Sequence, residues 1–445
     1  MKHTHTTITV ATTLLMMSSA PVMRSEQCVA VTADNDSILE DFIDDQADMR
    51  QNPVIESELI ELPFSGHVPS FIRRSKNAIK DNGEDFSTLY NKLASPGSRI
   101  DILHIGDSHV QAEFSTQVTR DMLQFVYGDA GRGLVAPLKL ASTNPPSDYK
   151  VESTSSWTAT RAIKSGSDAD MGFNGLALRL SGATGNLTFV TRDDEDTFDP
   201  FAEITLLGKG KIDVVSVTDQ EGNSIPYESV SEKNCVRITL GRSVNAATVR
   251  FSATGGYVYY GSYLSGLRPG LTYSVIGNNG ATFSTYNSIG SFSSGISCLA
   301  PDLVIVALGT NEAFGRLDRA AFRSSLQSMA NNIRRGSPKV PIILVTPMEC
   351  QRRSYVRRKG RRRRAASYSV NANVAAYRNE ILDFGRKHNI AVYDLYDVAG
   401  GEGASSRWLD AGLMGKDRVH LTASGYRLQG MLLYEALMNL FEPKQ

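Results

Sequence analysis

Two hydrophobic rhythms alternate along this chain of 445 residues. The runs "IDILHIG" (100–106), "LTYSVIG" (271–277), "DLVIVALG" (302–309), "PIILVT" (341–346) and "IAVYDLY" (390–396) are apolar nearly throughout. Runs of this kind predict parallel strands buried on both faces. Between them the period lengthens to that of a helix. Asp318 to Arg335 sets Phe322, Leu326, Met329 and Ile333 on one face, with Gly336 as its stop. Val370, Val374, Tyr377, Ile381 and Phe384 mark another helix, and Thr422 is a candidate cap for a last one ending at Phe441. A further helical pattern runs from Pro69 to Leu93. Strands alternating with helices predict an α/β fold, a three-layer, doubly wound parallel sheet of the flavodoxin-like kind.

One long stretch breaks this pattern. "NLTFVT", "AEITLL", "KIDVVSV", "CVRITL", "ATVRFSA" and "YVYYGSY" alternate with period two and are separated by Gly, Asn and Asp turns. They predict an antiparallel β-sandwich or similar module, inserted between the first and second parallel strands. The expected organisation is a leader over 1–30, an acidic linker over 31–65, and an α/β domain split into 66–138 and 269–445 around an insert at 139–268.

Charge adds a local feature to a neutral whole. Lys+Arg and Asp+Glu balance at 47 each, so no global field points to nucleic acid or to a membrane surface. Residues 34–48 nevertheless hold seven acids and no base, and residues 351–364, "QRRSYVRRKGRRRR", nine bases and no acid. The basic stretch follows "PIILVTP" and reads as a mobile loop at the strand end, with Arg361, Arg362, Arg363 and Arg364 as candidate contacts to an anionic polymer. At the N-terminus, Lys2 and the short apolar run Ile8–Met17 read as an export signal, cleaved after Ala20 or Ala30. The run falls short of the ~20 apolar residues a bilayer span takes, and no later segment reaches that length. The expected location is periplasmic or secreted, with peripheral association with the cell envelope as the only membrane contact left open. The four cysteines are far apart, without CxxC, and no Cys/His cluster suggests a metal or any other cofactor. They read as small buried hydrophobes.

In a doubly wound sheet, functional groups gather beyond the C-terminal ends of the strands. There the sequence places Gly106-Asp107-Ser108-His109, then Gly277-Asn278-Asn279-Gly280-Ala281, then Gly309-Thr310-Asn311-Glu312, and before the last helix Asp417-Arg418-Val419-His420. Together they supply an acyl-transfer site. Ser108 is the candidate nucleophile, at a strand-to-helix turn where its own N–H faces a developing oxyanion. His420 is the candidate base, oriented by Asp417. Gly280 would offer a second N–H and Asn311 a side-chain amide. His109 is the rival base, set aside because a neighbour on a helix points a quarter-turn away. His104 reads as a packed core histidine, and Glu312 as a supporting group or helix cap.

These four blocks, in this order, resemble those of the SGNH (GDSL-like) hydrolases. Within that superfamily, "GDSHVQAEF", "GDAGRG", "GNNGA" and the position of the insert are similar to the peptidoglycan O-acetylesterases of Gram-negative bacteria. The resemblance implies the SGNH fold, a serine esterase with Ser108, Asp417 and His420 as catalytic residues, and an oxyanion hole of Ser108, Gly280 and Asn311. It also implies a carbohydrate-binding-like insert and an O-acetylated polysaccharide as substrate. Acetylesterases of plant or host glycans, acetyl transfer to a sugar, and a non-catalytic glycan-binding protein remain the alternatives.

Overall fold

The apolar runs pair into one six-stranded sheet. The computed structural model describes residues 67–442 apart from 112, 166–169, 193–199, 233 and 357–364. The leader, the whole acidic linker and Arg361–Arg364 therefore lie outside the described residues. The sheet order is Ile79–Lys80, Ala391–Tyr393, Ile342–Val345, Leu303–Ala307, Arg99–Gly106, Gly270–Gly277. The five longer neighbours run parallel. Ile79–Lys80 lies antiparallel to Ala391–Tyr393, so the sheet is mixed where a purely parallel one was expected. An edge strand of two residues has no period to read.

Successive side chains on these strands point to opposite faces, which is why the runs are apolar throughout. Leu103, Ile105, Val304, Val306, Ile342 and Leu344 pack with Phe322, Leu326, Met329, Ile333 and Ile381 in one core. Ile100, Ile102, Ile305 and Ile343 pack with Leu123, Leu428, Leu432 and Leu437 in the other. Helices thus cover both faces, in three layers. Their starts are capped as the sequence suggests. Asp318 accepts from Ala321 N–H before Arg319–Gly336, and Thr422 from Gly425 N–H before Ala423–Phe441.

Three local expectations fail. Pro69–Leu93 is not one helix but a 3₁₀ turn at Arg74–Lys76, the edge strand, and a helix at Ser87–Leu93. The run "IAVYDLY" stops pairing at Tyr393, because the Asp394 side chain caps a helix over Leu395–Val398. Finally, Gln351–Val356 and Ala365–Val370 pair as an antiparallel hairpin, so the flanks of the basic stretch are strands where a loop was expected.

Between Arg99–Gly106 and Gly270–Gly277 the described residues form nine antiparallel strands. The spine is the pair Phe201–Thr218 and Ala246–Ser265, broken by register shifts. Pairing begins at Gly133–Val135, upstream of the expected start. Phe189, Ile204, Leu206, Val249 and Phe251 belong to a core of its own. A buried charge network joins this array to the α/β layers. Arg132 pairs with Glu113 and, at 2.6 Å, with Asp148, which also takes Arg120 at 2.7 Å. All four side chains are at most 3% exposed. Burial alone would raise the Asp148 pKa, but the Arg132 and Arg120 guanidiniums hold it well below the usual carboxylate range.

Among the described residues, no helix is long and apolar enough to cross a membrane, and no group of three His, Cys, Asp or Glu is placed to hold a metal. Cys235 and Cys350 are buried free thiols, while Cys298 is free but exposed, where a buried residue was expected.

Candidate active site

The strand Arg99–Gly106 turns directly into a short helix, Ser108–Gln111. Asp107 makes that turn. Its carbonyl accepts from Val110 and Gln111 N–H, and its Oδ1 accepts from His109 N–H at 3.0 Å. The helix lies hard against the strand ends. A Cβ on Gly106 would overlap the Val110 side chain, and one on Gly277 the Gln111 backbone. Ser108 is thereby fixed at a helix start, where the first N–H groups have no intrahelical partner.

His420 reaches Ser108 from the far end of the sequence. Asp417 Oδ1 accepts from Val419 N–H at 2.9 Å and His420 N–H at 3.0 Å, so the loop wraps its own carboxylate. Arg418 at the bend adopts φ +62°. Asp417 Oδ2 lies 2.5 Å from His420 Nδ1, and His420 Nε2 lies 2.8 Å from Ser108 Oγ. With Nδ1–H donating to the carboxylate, Nε2 is left as the acceptor facing the serine hydroxyl. Burial pushes the Asp417 pKa up, but His420 and the two backbone donors bring it below the ordinary value. The carboxylate stays ionised, as an imidazole-orienting group must.

The loop after Gly270–Gly277 is a tight turn in which Ala281 N–H donates to Asn278 O at 2.9 Å. Gly280 sits in its third position at φ +80°, the conformation a type II turn demands there. Among the described residues the Gly280 N–H donates to no acceptor. Asn311 Nδ2 donates to Ala281 O at 2.9 Å and to Asp107 Oδ2 at 3.2 Å, which ties three of the four blocks together. Glu312 accepts from Phe283 N–H at 2.7 Å, and its Oε2 is buried without a partner. Burial pushes its pKa up to about 7 and that of Asp107 to about 6.

The remaining candidates separate cleanly. His104 is buried and bonds Tyr273 OH at 2.8 Å, as a core histidine. His109 bonds Tyr426 OH at 3.0 Å. The basic hairpin meets the site at its base: Gln351 N–H donates to Arg418 O, and the Arg418 guanidinium lies 4.0 Å above the Tyr368 ring. Sequence reasoning missed a set of amides. Gln111, Asn278 and Asn279 lie inside the blocks but have no role assigned from sequence, and nothing in the spacing of Asn144 and Asn174 marks them.

A hydroxyl, an imidazole and a carboxylate in this relay can take a proton from Ser108, and adjacent N–H groups can receive an oxyanion. The GDSL-like lipase/acylhydrolase family matches residues 238–428, a span that holds Gly280, Asn311, Asp417 and His420 and begins downstream of Ser108. No curated protein matches the chain. Among solved structures, a peptidoglycan O-acetylesterase superposes with TM-score 0.67 at 22% identity, covering 82% of this chain and 99% of that one. A lipase/acylhydrolase from Enterococcus faecalis covers 40% of this chain and 80% of its own, at 23% identity and TM-score 0.28. A salicylyl-acyltransferase from a tetracycline biosynthetic pathway covers 69% and 97%, at 13% identity and TM-score 0.31.

Proposed function

We propose that this chain, a GDSL-like acylhydrolase and an esterase of the SGNH type, removes O-acetyl groups from a polysaccharide, with peptidoglycan as the polymer. The observation that carries the reading is the relay from Asp417 through His420 to Ser108, at 2.5 and 2.8 Å, beside an unpaired Gly280 N–H. Ser108 Oγ attacks the acetyl carbonyl carbon and its proton passes to His420 Nε2. The oxyanion is met by the N–H groups of Ser108 and Gly280. Asn311 joins them by exchanging its longer bond, the one to Asp107. Collapse breaks the bond to the sugar oxygen, which takes the proton from His420, and leaves acetyl-Ser108. Water, giving a proton to His420, then attacks the acetyl carbon; the bond to Ser108 Oγ breaks as His420 returns that proton to it, and acetate leaves.

The choice of polymer is supported by a fold shared over 82% of this chain and 99% of the peptidoglycan O-acetylesterase. We read those strands as a sandwich-like, carbohydrate-binding module, with the α/β domain divided around it. Arg361–Arg364, which in sequence fall between the paired strands Gln351–Val356 and Ala365–Val370, would draw an anionic glycan toward the site. Export by the leader would place the enzyme with such a polymer, in the periplasm or outside the cell. Acetate release from O-acetylated peptidoglycan, compared with acetylated xylan, tests the reading. Preferential release from peptidoglycan, abolished in Ser108→Ala, is the expected result. Equal or better release from xylan would assign a different glycan.

A further inference from the structure

The turn that presents Gly280 does not fix its own central peptide. Types I and II share the bond from Ala281 N–H to Asn278 O, and differ by a flip of the peptide between Asn279 and Gly280. That flip decides whether the Gly280 N–H faces a substrate oxygen. The residues on the N-terminal side of that peptide, Asn278 and Asn279, are braced from outside the turn, by groups from three parts of the chain.

On one side, Asn279 N–H donates to Gln111 Oε1 at 2.8 Å, and Asn279 Nδ2 donates to Asn144 Oδ1 at 2.7 Å. Gln111 Nε2 is fixed in turn by Asn144 Oδ1 at 2.6 Å, Asn144 O at 3.0 Å and Thr143 Oγ1 at 2.9 Å. Asn144 Oδ1 is therefore the common acceptor for the nucleophile helix and the oxyanion turn. On the other side, Asn278 Nδ2 donates to Asn174 O at 2.9 Å and to Tyr286 OH at 3.0 Å. Tyr286 OH donates to Gly106 O at 2.6 Å, one residue before Asp107. The loop bearing Asn174 is itself rigid, since Asn174 Nδ2 donates to Tyr260 O at 2.8 Å. It presses close: at Gly175, φ +82°, a Cβ would lie 2.8 Å from Asn278 Nδ2.

We propose that the segment between the two parallel strands is part of the catalytic apparatus, with Asn144 and the Asn174–Gly175 turn as positioning residues that set the Gly280 peptide for oxyanion binding. The inference rests on the esterase reading, and it gives the insert a task apart from holding polymer. A small ester, which has no glycan to engage, should therefore still feel changes in the insert.

The test uses the full chain and p-nitrophenyl acetate. Asn144→Ala should lower kcat by about tenfold to a hundredfold, the scale for a misplaced donor, with KM within about twofold. Asn144→Asp, which keeps the acceptor oxygen, should recover most of the loss. Gly175→Ala should lower kcat in the same way. Circular dichroism establishes that each variant is folded. Independently of turnover, the Gly280 amide resonance of isotopically labelled protein should shift or broaden in Asn144→Ala and return in Asn144→Asp. An unmoved resonance, or folded variants with wild-type kcat, overturns the proposal. Absence of any wild-type turnover sinks the esterase reading instead, and the amide resonance then judges the positioning claim alone.

Discussion

His109 and His420 stand ring beside ring, centroids 5.0 Å apart and planes at 33°, yet the bond to Ser108 belongs to His420. Burial and the neighbouring His420 drive the His109 pKa down to about 3, so its ring stays neutral while it bonds Tyr426. His109 is a wall against which the base is packed. His109→Leu should therefore keep kcat on p-nitrophenyl acetate within about tenfold of wild type, while His420→Ala should lose at least ~10³-fold. A folded His109→Leu as inactive as His420→Ala would reassign the base.

Asp417 holds His420 by an oxygen 2.5 Å from Nδ1. Asp417→Asn keeps the shape but admits the wrong tautomer, and a loss of ~10³–10⁴-fold in kcat is expected. Ser108→Ala should be as damaged as the double variant with His420→Ala, because the members act as a unit. Asn311→Ala should lose ~10²-fold or more in kcat, the scale for an oxyanion donor. Steady-state kinetics on a small acetyl ester read all three, and a change confined to KM speaks against the assigned roles.

Glu312 links stability to pH in an uncommon direction. Its folded pKa stands near 7 against an ordinary 4.5 because burial penalises the charged form. Below 4.5 it is protonated folded and unfolded, and costs nothing. As pH rises toward 7 the unfolded chain releases this proton first, so stability falls, by on the order of 2–3 kcal/mol when complete. Asp107, raised to about 6 by burial, acts in the same direction. Glu312→Gln retains the acceptor for Phe283 N–H and removes one of the two contributions. Its melting temperature should fall less steeply than that of wild type between pH 4.5 and 7. Parallel curves would mean Glu312 is ionised throughout.

The Arg120–Asp148–Arg132–Glu113 network makes the insert hard to remove. Two guanidiniums at most 1% exposed depend on Asp148, which enters with the insert. Asp148→Ala removes the carboxylate they share, leaving Arg132 only Glu113 and Arg120 the half-buried Asp121, and should cost about 3–5 kcal/mol, read by denaturant unfolding. Replacing residues 145–265 by a linker should give a chain that does not fold, rather than a small esterase lacking its polymer-binding part. A soluble deletion variant with cooperative unfolding would contradict this.

What the sequence made legible follows from how strands and turns encode themselves. Strands buried on both faces announce themselves as apolar runs, so the four blocks at their ends could be placed together before any coordinates. Ser108, His420 and Asp417 do meet. What stayed hidden has no pattern. Ile79–Lys80 is too short for a period. Glu113, Arg132 and Asp148 carry no sign of burial in the sequence, because only the fold tells a buried pair from a solvated one. Asn144 and Asn174 sit in turn-like stretches where asparagine is common anyway.

Ser108 and His420 are 312 positions apart, and the nine antiparallel strands lie between them. That separation orders events in time. During synthesis the serine emerges first, the long-range strand pairings of the spine close by slow, non-local search, and the imidazole follows 312 positions later. A nascent product that stops before residue 420 lacks the imidazole that takes the Ser108 proton. The nucleophile is thus born inert, and the making of His420 is the event that switches it on.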